Sequence, residues 1–260
     1  MSKHCFNQNY FNWHIAGNVE APYVNSIVRY IMKVYKNRGI NTKNLKVLDV
    51  GSGTGQYSFE IAKYAKTVIG VEPFKSAYLK ALEIRQKYSF GGKVHFYNIP
   101  VEEFDKNIKF NLVLCLATLE HMPDAETSFK NIFSHLEEGG MVYITVPNKL
   151  WPYEYHYRLP FLSWLPVKYG NVYVKLFKRG LSFDDSSYAK SYFGLKRFFS
   201  KFPCKYEFLV PDPNENFLGL GEKSFLYSAL KNIGLRLLKK IPFLWIFSKA
   251  FMVVLIKNKR

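Results

Sequence analysis

The chain has 260 residues, 48% of them apolar and 22% charged. Those proportions suit one large domain with a packed core and exclude a mostly disordered chain. The formal net charge is +17, and residues 151–260 hold 19 Lys and Arg against 7 Asp and Glu, a balance that fits an acidic acceptor, nucleic acid or an anionic lipid surface as readily as a lysine-rich composition.

Cys5, Cys115 and Cys204 lie far apart without a CxxC pair, so neither a disulfide framework nor a cysteine zinc site is expected, and no metal is assigned. Residues 1–20 are polar and aromatic, without the apolar run of a signal peptide. The apolar stretch 241–256 is broken by Lys249 and is too short to span a bilayer. A cytoplasmic location is expected, with attachment at an anionic membrane surface as its variant.

Taken in chain order, apolar positions in residues 22–36 recur at helical spacing. Residues 46–50 read as a buried strand, 51–55 as a glycine-rich turn and 56–66 as a helix. A strand over 67–71, a helix over 74–88 closed by Gly91 and Gly92, and a strand over 94–99 follow. Residues 111–116 form a continuous apolar run, the pattern of a strand covered on both faces. A helix over 124–136 is capped by Asp124 and ended by Gly139 and Gly140, and a fifth strand covers 141–146. This alternation implies a parallel sheet with helices on both sides.

The period is lost over residues 148–180, a stretch dense in Pro, Trp and Tyr. It returns as a helix over 182–200 starting from Ser182, Asp184 or Asp185. A strand over 205–210, a basic amphipathic helix over 223–240 and a strand over 251–257 complete the chain.

The turn Asp49-Val50-Gly51-Ser52-Gly53-Thr54-Gly55 follows a strand and precedes a helix, the context that gives a glycine loop meaning. Its glycines alternate as GxGxG, whereas a dinucleotide fold shows GxGxxG, and no P-loop lysine is present. Glu72 ends the second strand, where a carboxylate can accept hydrogen bonds from both hydroxyls of a ribose.

In order, LDVGSGTG, VIGVEP, FNLVLCLATLEHMPD and LEEGGMVYITVPN resemble the successive motifs of class I S-adenosylmethionine (SAM)-dependent methyltransferases. The nearest likeness is to the methyltransferase type 11 and ubiquinone-biosynthesis-type small-molecule group, over about residues 44–148. The resemblance implies an α/β fold: a Rossmann-like, doubly wound, seven-stranded, mostly parallel sheet, here with an aromatic insertion after strand five. It divides the chain into a helical segment (1–43), a SAM-binding core (44–148), a substrate-side insertion or lid (149–204) and a C-terminal part of the sheet with a basic amphipathic helix (205–260).

By the same resemblance SAM is the cofactor. Gly51, Ser52, Gly53 and Gly55 line its methionine part, Asp49 sits near its amino group, Glu72 holds the ribose, Val101 and Glu102 flank the adenine, and Leu116 and Ala117 lie under the cofactor. Two departures stand out: Pro100 precedes the adenine-flanking pair, where the family often has an acidic residue, and Asn111 replaces the usual Asp of an FDLV motif, a swap expected to be structural.

Methyl transfer from a sulfonium is an in-line displacement in which the protein supplies orientation and, for a hydroxyl acceptor, a base. His121 is the first candidate base because a free imidazole titrates near neutrality; a loop-fixing role is the alternative. The aromatic insertion offers His156, with Glu154 beside it, as acceptor-site residues. Its Trp151, Phe161 and Trp164 form either an apolar wall, a cap on the sheet edge or a surface that dips into a bilayer. The expected function is O-methylation of a small or lipid-linked acceptor. Methylation of RNA or protein through the basic half, and a non-catalytic SAM-binding module, are the alternatives. LATLEH stands where an NPPY-type tetrapeptide would mark adenine methylation, so nucleic acid is not favoured.

Overall fold

The computed structural model describes residues 22–40, 42–87, 92–210 and 225–259; the expectations for residues 1–20 and for Gly91 lie outside them. Helix α1 (Pro22–Lys36) opens the described chain. Val24, Val28, Ile31 and Tyr35 lie on one stripe of it, and all four are fully buried. The helix is pinned to α2 (Gln56–Ile61) by Asn25, whose side-chain amide donates to Glu60 at 2.6 Å.

The central sheet alternates strands and helices: β1 (Lys46–Val50), α2, β2 (Thr67–Val71), α3 (Lys75–Lys87), β3 (Val94–Tyr97), β4 (Phe110–Leu116), α4 (Ala125–His135) and β5 (Leu136–Pro147). The insertion adds a small hairpin, β6 (Tyr153–Glu154) with β7 (Leu159–Pro160), and helices α5 (Val167–Leu176) and α6 (Tyr192–Phe199). Strand β8 (Cys204–Phe208), helix α7 (Phe225–Lys240) and strand β9 (Ala250–Lys257) return to the sheet.

The seven strands lie in the order β3-β2-β1-β4-β5-β9-β8. All neighbours are parallel except β9, which runs antiparallel to both β5 and β8. This is the doubly wound, mostly parallel sheet expected from the sequence. The strand order reverses between β1 and β4, β2 and β3 lying to one side and β5 to the other, so the carboxyl ends of these two parallel strands form the crevice where such sheets bind ligands.

Burial explains the apolar runs. In β4, Val113 and Cys115 face one buried cluster with Phe129, Ile132 and Trp245, while Leu112 and Leu114 face the other with Ile31 and Tyr35. A strand covered on both faces cannot alternate apolar with polar residues.

Several boundaries differ from the sequence expectation: β3 ends at Tyr97 rather than 99, β5 begins at Leu136 rather than 141, and three helices differ in how they start or stop. Helix α2 stops at Ile61, and the chain reaches β2 through turns. Helix α4 is capped as expected by Asp124, whose side chain accepts from the Thr127 N–H at 3.0 Å, and it ends at His135, but not on the glycines. Its final carbonyls are met by Lys257, 124 residues later, which donates to Phe133 O and Leu136 O at 2.7 Å. Gly139 and Gly140 lie beyond the helix, in a register shift of β5 where Phe110 pairs with Leu136 and Leu112 with Met141. There a Cβ on Gly140 would come within 2.8 Å of the Glu137 carbonyl. The helix expected over 182–200 is only α6: Ser191 caps it by accepting from the Gly194 N–H, and residues 184–186 form a separate 3-10 turn.

Candidate active site

The glycine turn leaves β1 toward the crevice. Gly51, Gly53 and Gly55 have φ of +67°, +54° and +84°, a region costly for residues with a Cβ. Their surroundings differ. A Cβ on Gly51 would lie 2.4 Å from Thr118 Cγ2, and one on Gly55 2.6 Å from the Phe96 ring, whereas one on Gly53 would meet nothing within 4 Å. Gly51 and Gly55 are therefore required by the protein's own packing, and Gly53 alone borders open space.

Glu72 fastens this turn. Its buried carboxylate accepts from the Gly53 N–H at 2.8 Å and from the Phe74 N–H at 2.9 Å, one bond on each oxygen. Each oxygen keeps a further lone pair for a hydroxyl. Burial pushes the Glu72 pKa up, and the two backbone hydrogen bonds oppose that rise. Asn98, which sequence reasoning passed over, donates to the backbone carbonyls of Glu72 and Pro73 and holds this corner.

Asp49 is buried in β1 and accepts from Ser58 Oγ at 2.6 Å. Burial pushes its pKa up to about 7, the Ser58 bond opposing and the Glu72 charge adding to the rise. Ser52 Oγ is buried without a hydrogen-bond partner among the described residues. The turn thus presents a buried carboxylate, an orphaned hydroxyl and an open glycine, a set that fits the amino-acid and ribose parts of SAM.

Val101 is buried in a 3-10 turn, its carbonyl tied to the Asn131 side chain, while the half-buried Glu102 accepts from Ser128 Oγ in α4. Leu116 ends β4, and Ala117, just past it, has φ +51° and is exposed at the crevice floor. Thr118 closes the floor by donating to Val50 O at 3.0 Å. Asn111 has the structural role expected of it, its side-chain oxygen accepting from the Lys46 N–H at 3.0 Å. Gly70 was also passed over, although a glycine inside a strand is a readable sign of close approach: a Cβ there would lie 2.6 Å from Phe96 and 2.7 Å from Ser52 Oγ.

The two candidate histidines, 35 positions apart in sequence, come together. Their ring centroids are 5.0 Å apart at 83°. Nδ1 of His121 lies 2.6 Å from the Asp185 carbonyl, and Nδ1 of His156 lies 2.5 Å from Glu154 Oε1. Glu154 Oε2 accepts from the Tyr157 N–H at 2.8 Å. Burial works against charge on His156, yet the hydrogen bond and charge of Glu154, joined by Glu120, raise its pKa. Glu120, overlooked in the sequence except as the neighbour of His121, is buried beside them; burial pushes its pKa up to about 7 while His156 opposes the rise.

The aromatic insertion divides in two. Tyr157, Leu159, Leu162, Val174 and Phe183 form a small core of their own. Trp151 is half-buried, whereas Phe161 and Trp164 are 50% and 52% exposed and pack edge to face. With Leu165, Tyr169, Val172 and Leu176 they form an exposed apolar face, so a cap on the sheet edge does not describe these two residues.

A methyltransferase-domain family model matches residues 41–177, more than half of the chain. Among curated proteins, the chain is 25% identical over 122 residues to a ubiquinone biosynthesis O-methyltransferase of Rickettsia prowazekii, covering 47% of this chain and 48% of that protein. It is 32% identical over 112 residues to the protein of that name from Pseudomonas fluorescens, covering 42% and 47%. The chain thus spans about half the length of the curated relatives it matches. Among solved structures, a plantazolicin methyltransferase in complex with a substrate analogue and SAH superposes with a TM-score of 0.58 at 17% identity, covering 97% of this chain and 89% of that one. The magnesium protoporphyrin IX methyltransferase of Synechocystis with bound SAM gives 0.54 at 14% identity, covering 96% and 91%. Strand order, glycine turn and family match agree: the chain belongs to the methyltransferase-domain family and has the class I SAM-dependent methyltransferase fold.

Proposed function

We propose that this chain transfers a methyl group from SAM to an oxygen of a small or lipid-linked acceptor. The observation that carries this reading is the pairing of two sites. The open Gly53 and the buried Glu72 carboxylate suit the cofactor, and His121, which follows β4 beside the crevice floor, is met there by His156 from the insertion. SAM supplies the activated methyl group. Glu72, Asp49 and the glycine turn bind and orient it, and the exposed Ala117 leaves room beneath it. A hydroxyl acceptor must lose a proton, and an imidazole held by an oxygen at Nδ1 keeps a lone pair on Nε2 to take it. The curated relatives' naming as O-methyltransferases points the same way.

The exposed face of the insertion favours an apolar acceptor met at a lipid surface. Phe161, Trp164, Leu165, Tyr169, Val172 and Leu176 are flanked by exposed Lys168, Lys175, Lys178 and Arg179. Aromatic insertion plus basic residues is the two-signal arrangement of peripheral attachment, at about 1 kcal/mol per well-placed cation. Among the described residues no helix is long and apolar enough to cross a membrane. Nucleic acid is a poorer match, because Leu165, Val172 and Leu176 interrupt the exposed aromatics of this face and offer bases neither stacking nor hydrogen bonds.

Calorimetry with SAH and NAD, and sedimentation with phosphatidylglycerol or phosphatidylcholine vesicles, test both halves. SAH should bind and NAD should not. The chain should pellet with the anionic vesicles, less so at high salt and less so with Phe161→Ala and Trp164→Ala. NAD binding without SAH binding would sink the methyltransferase reading; a chain that stays in the supernatant with anionic vesicles at low salt would leave a soluble acceptor.

A further inference from the structure

The cluster beside the crevice floor has the chemistry of a metal site. Glu120, His121 and His156 each bring a ligand atom within 4.8 Å of the other two. Metal–ligand bonds of about 2.0–2.2 Å put tetrahedral ligands roughly 3.3–3.6 Å apart, so side-chain shifts of about 1 Å would close the site.

The outer contacts are those metal-binding histidines use. A ligating imidazole nearly always donates its other N–H to a carboxylate or a backbone carbonyl, which sets its tautomer and aims the remaining nitrogen. Here His156 has Glu154 Oε1 at Nδ1 and His121 has the Asp185 carbonyl, at 2.5 and 2.6 Å. Glu154 is itself anchored through its second oxygen by the Tyr157 N–H.

Two further observations point to an occupant. Glu120 Oε2 and Ser186 Oγ are buried and have no hydrogen-bond partner among the described residues, and buried oxygens rarely stay unsatisfied. Glu120, Ser186, Glu154 and His156 line one cavity of about 10 Å³, room for a single water or ion. Two carboxylates buried this deeply also call for a nearby positive charge.

We propose that Glu120, His121 and His156 bind a divalent first-row transition ion, with Glu154 and the Asp185 carbonyl orienting the histidines. Two imidazoles and one carboxylate suit zinc, iron(II), manganese or cobalt and leave coordination positions open. Resting on the methyl-transfer reading, those positions would take the acceptor oxygen. An oxygen on such an ion ionises more readily, so the ion would lessen the need for a histidine base.

The test uses the full chain stripped with a chelator and titrated with Co²⁺, followed by visible absorption, with SAH calorimetry in parallel. One Co²⁺ per chain is expected. The visible bands should vanish in His156→Ala and Glu120→Gln, and affinity should fall about 10–100-fold in Glu154→Gln, which loses an orienting carboxylate and no ligand. SAH affinity should stay within about threefold in Glu154→Gln, which also checks that the variant is folded. A wild-type chain that binds SAH but shows no Co²⁺ absorption, or equal Co²⁺ affinity in all the variants, overturns the site. Stoichiometric Co²⁺ binding that the variants lose, in a chain that binds no SAH, supports the ion site and sinks the methyl-transfer reading instead.

Discussion

Replacing Glu72 with Ala tests the cofactor geometry most directly. The change removes the acceptor of two backbone N–H groups, those of Gly53 and Phe74. Hydrogen bonds to a charged acceptor contribute about 1.5–3 kcal/mol each. Relief of burying the carboxylate offsets part of that loss, because burial already raises the Glu72 pKa. The net cost to stability should be about 2–4 kcal/mol. The cost to the cofactor is separate and larger. Two ribose hydroxyls lose a charged acceptor, and the Gly53 amide loses its tether, so SAH affinity should fall about 10²–10⁴-fold. Glu72→Gln keeps one carbonyl oxygen but turns an NH₂ toward one of the two backbone donors, and it should be intermediate in both respects. Urea unfolding gives the first quantity, and calorimetry with SAH at a temperature where each variant is folded gives the second. A folded Glu72→Ala variant that binds SAH within about threefold of wild type would refute the assignment of Glu72 to the ribose.

Gly53→Val should keep the fold, at about 1–2 kcal/mol for its left-handed backbone, yet abolish SAH binding by filling open space. Gly51→Val should instead lower the melting temperature sharply, because its Cβ would strike Thr118; the reverse ranking in melting temperature would contradict the packing described. Asp49, with its pKa pushed up to about 7, binds more protons folded than unfolded, so its contribution to stability falls as pH rises between about 4 and 7. Ionisation in that same range favours cationic SAM, so SAM affinity should rise several-fold from about pH 6 to about pH 7.5, and Asp49→Asn should flatten that rise. Replacing His121 or His156 with Ala should cut turnover about 10²–10⁴-fold with SAH affinity intact; undiminished rates in both would leave orientation as the protein's only contribution.

Local chemistry made much of this molecule readable in its sequence. Alternating strands and helices, the GxGxG turn directly after β1 and a carboxylate at the end of β2 are short-range patterns, and the sheet order and the Glu72–Gly53 bond agree with them. Asp124 capped its helix for the same reason: its partner, Thr127, is three residues away. The helix's other end lies within a residue of the expected one, but its terminator was misread: its last carbonyls are met by Lys257, on a strand more than a hundred residues downstream, and not by a turn at Gly139 and Gly140. No window of sequence contains that contact.

The candidate site divides along the same line. Both histidines were legible as residues at the carboxyl end of the sheet, but their meeting was not. His121 follows β4 and His156 lies in the insertion, and only the path of the chain across the sheet places their rings 5.0 Å apart with Glu120 buried beside them. The sequence by itself determined the alternating elements of the sheet up to β5, the glycine turn and the position of a carboxylate at the end of β2, because each rests on the conformational limits and hydrogen bonds of residues close in the chain. Tertiary structure decided the rest. It chose which glycines face protein and which faces open space, which aromatics of the insertion stay exposed, and which buried carboxylates share a cavity with a histidine, because burial and long-range contacts exist only once the chain has packed.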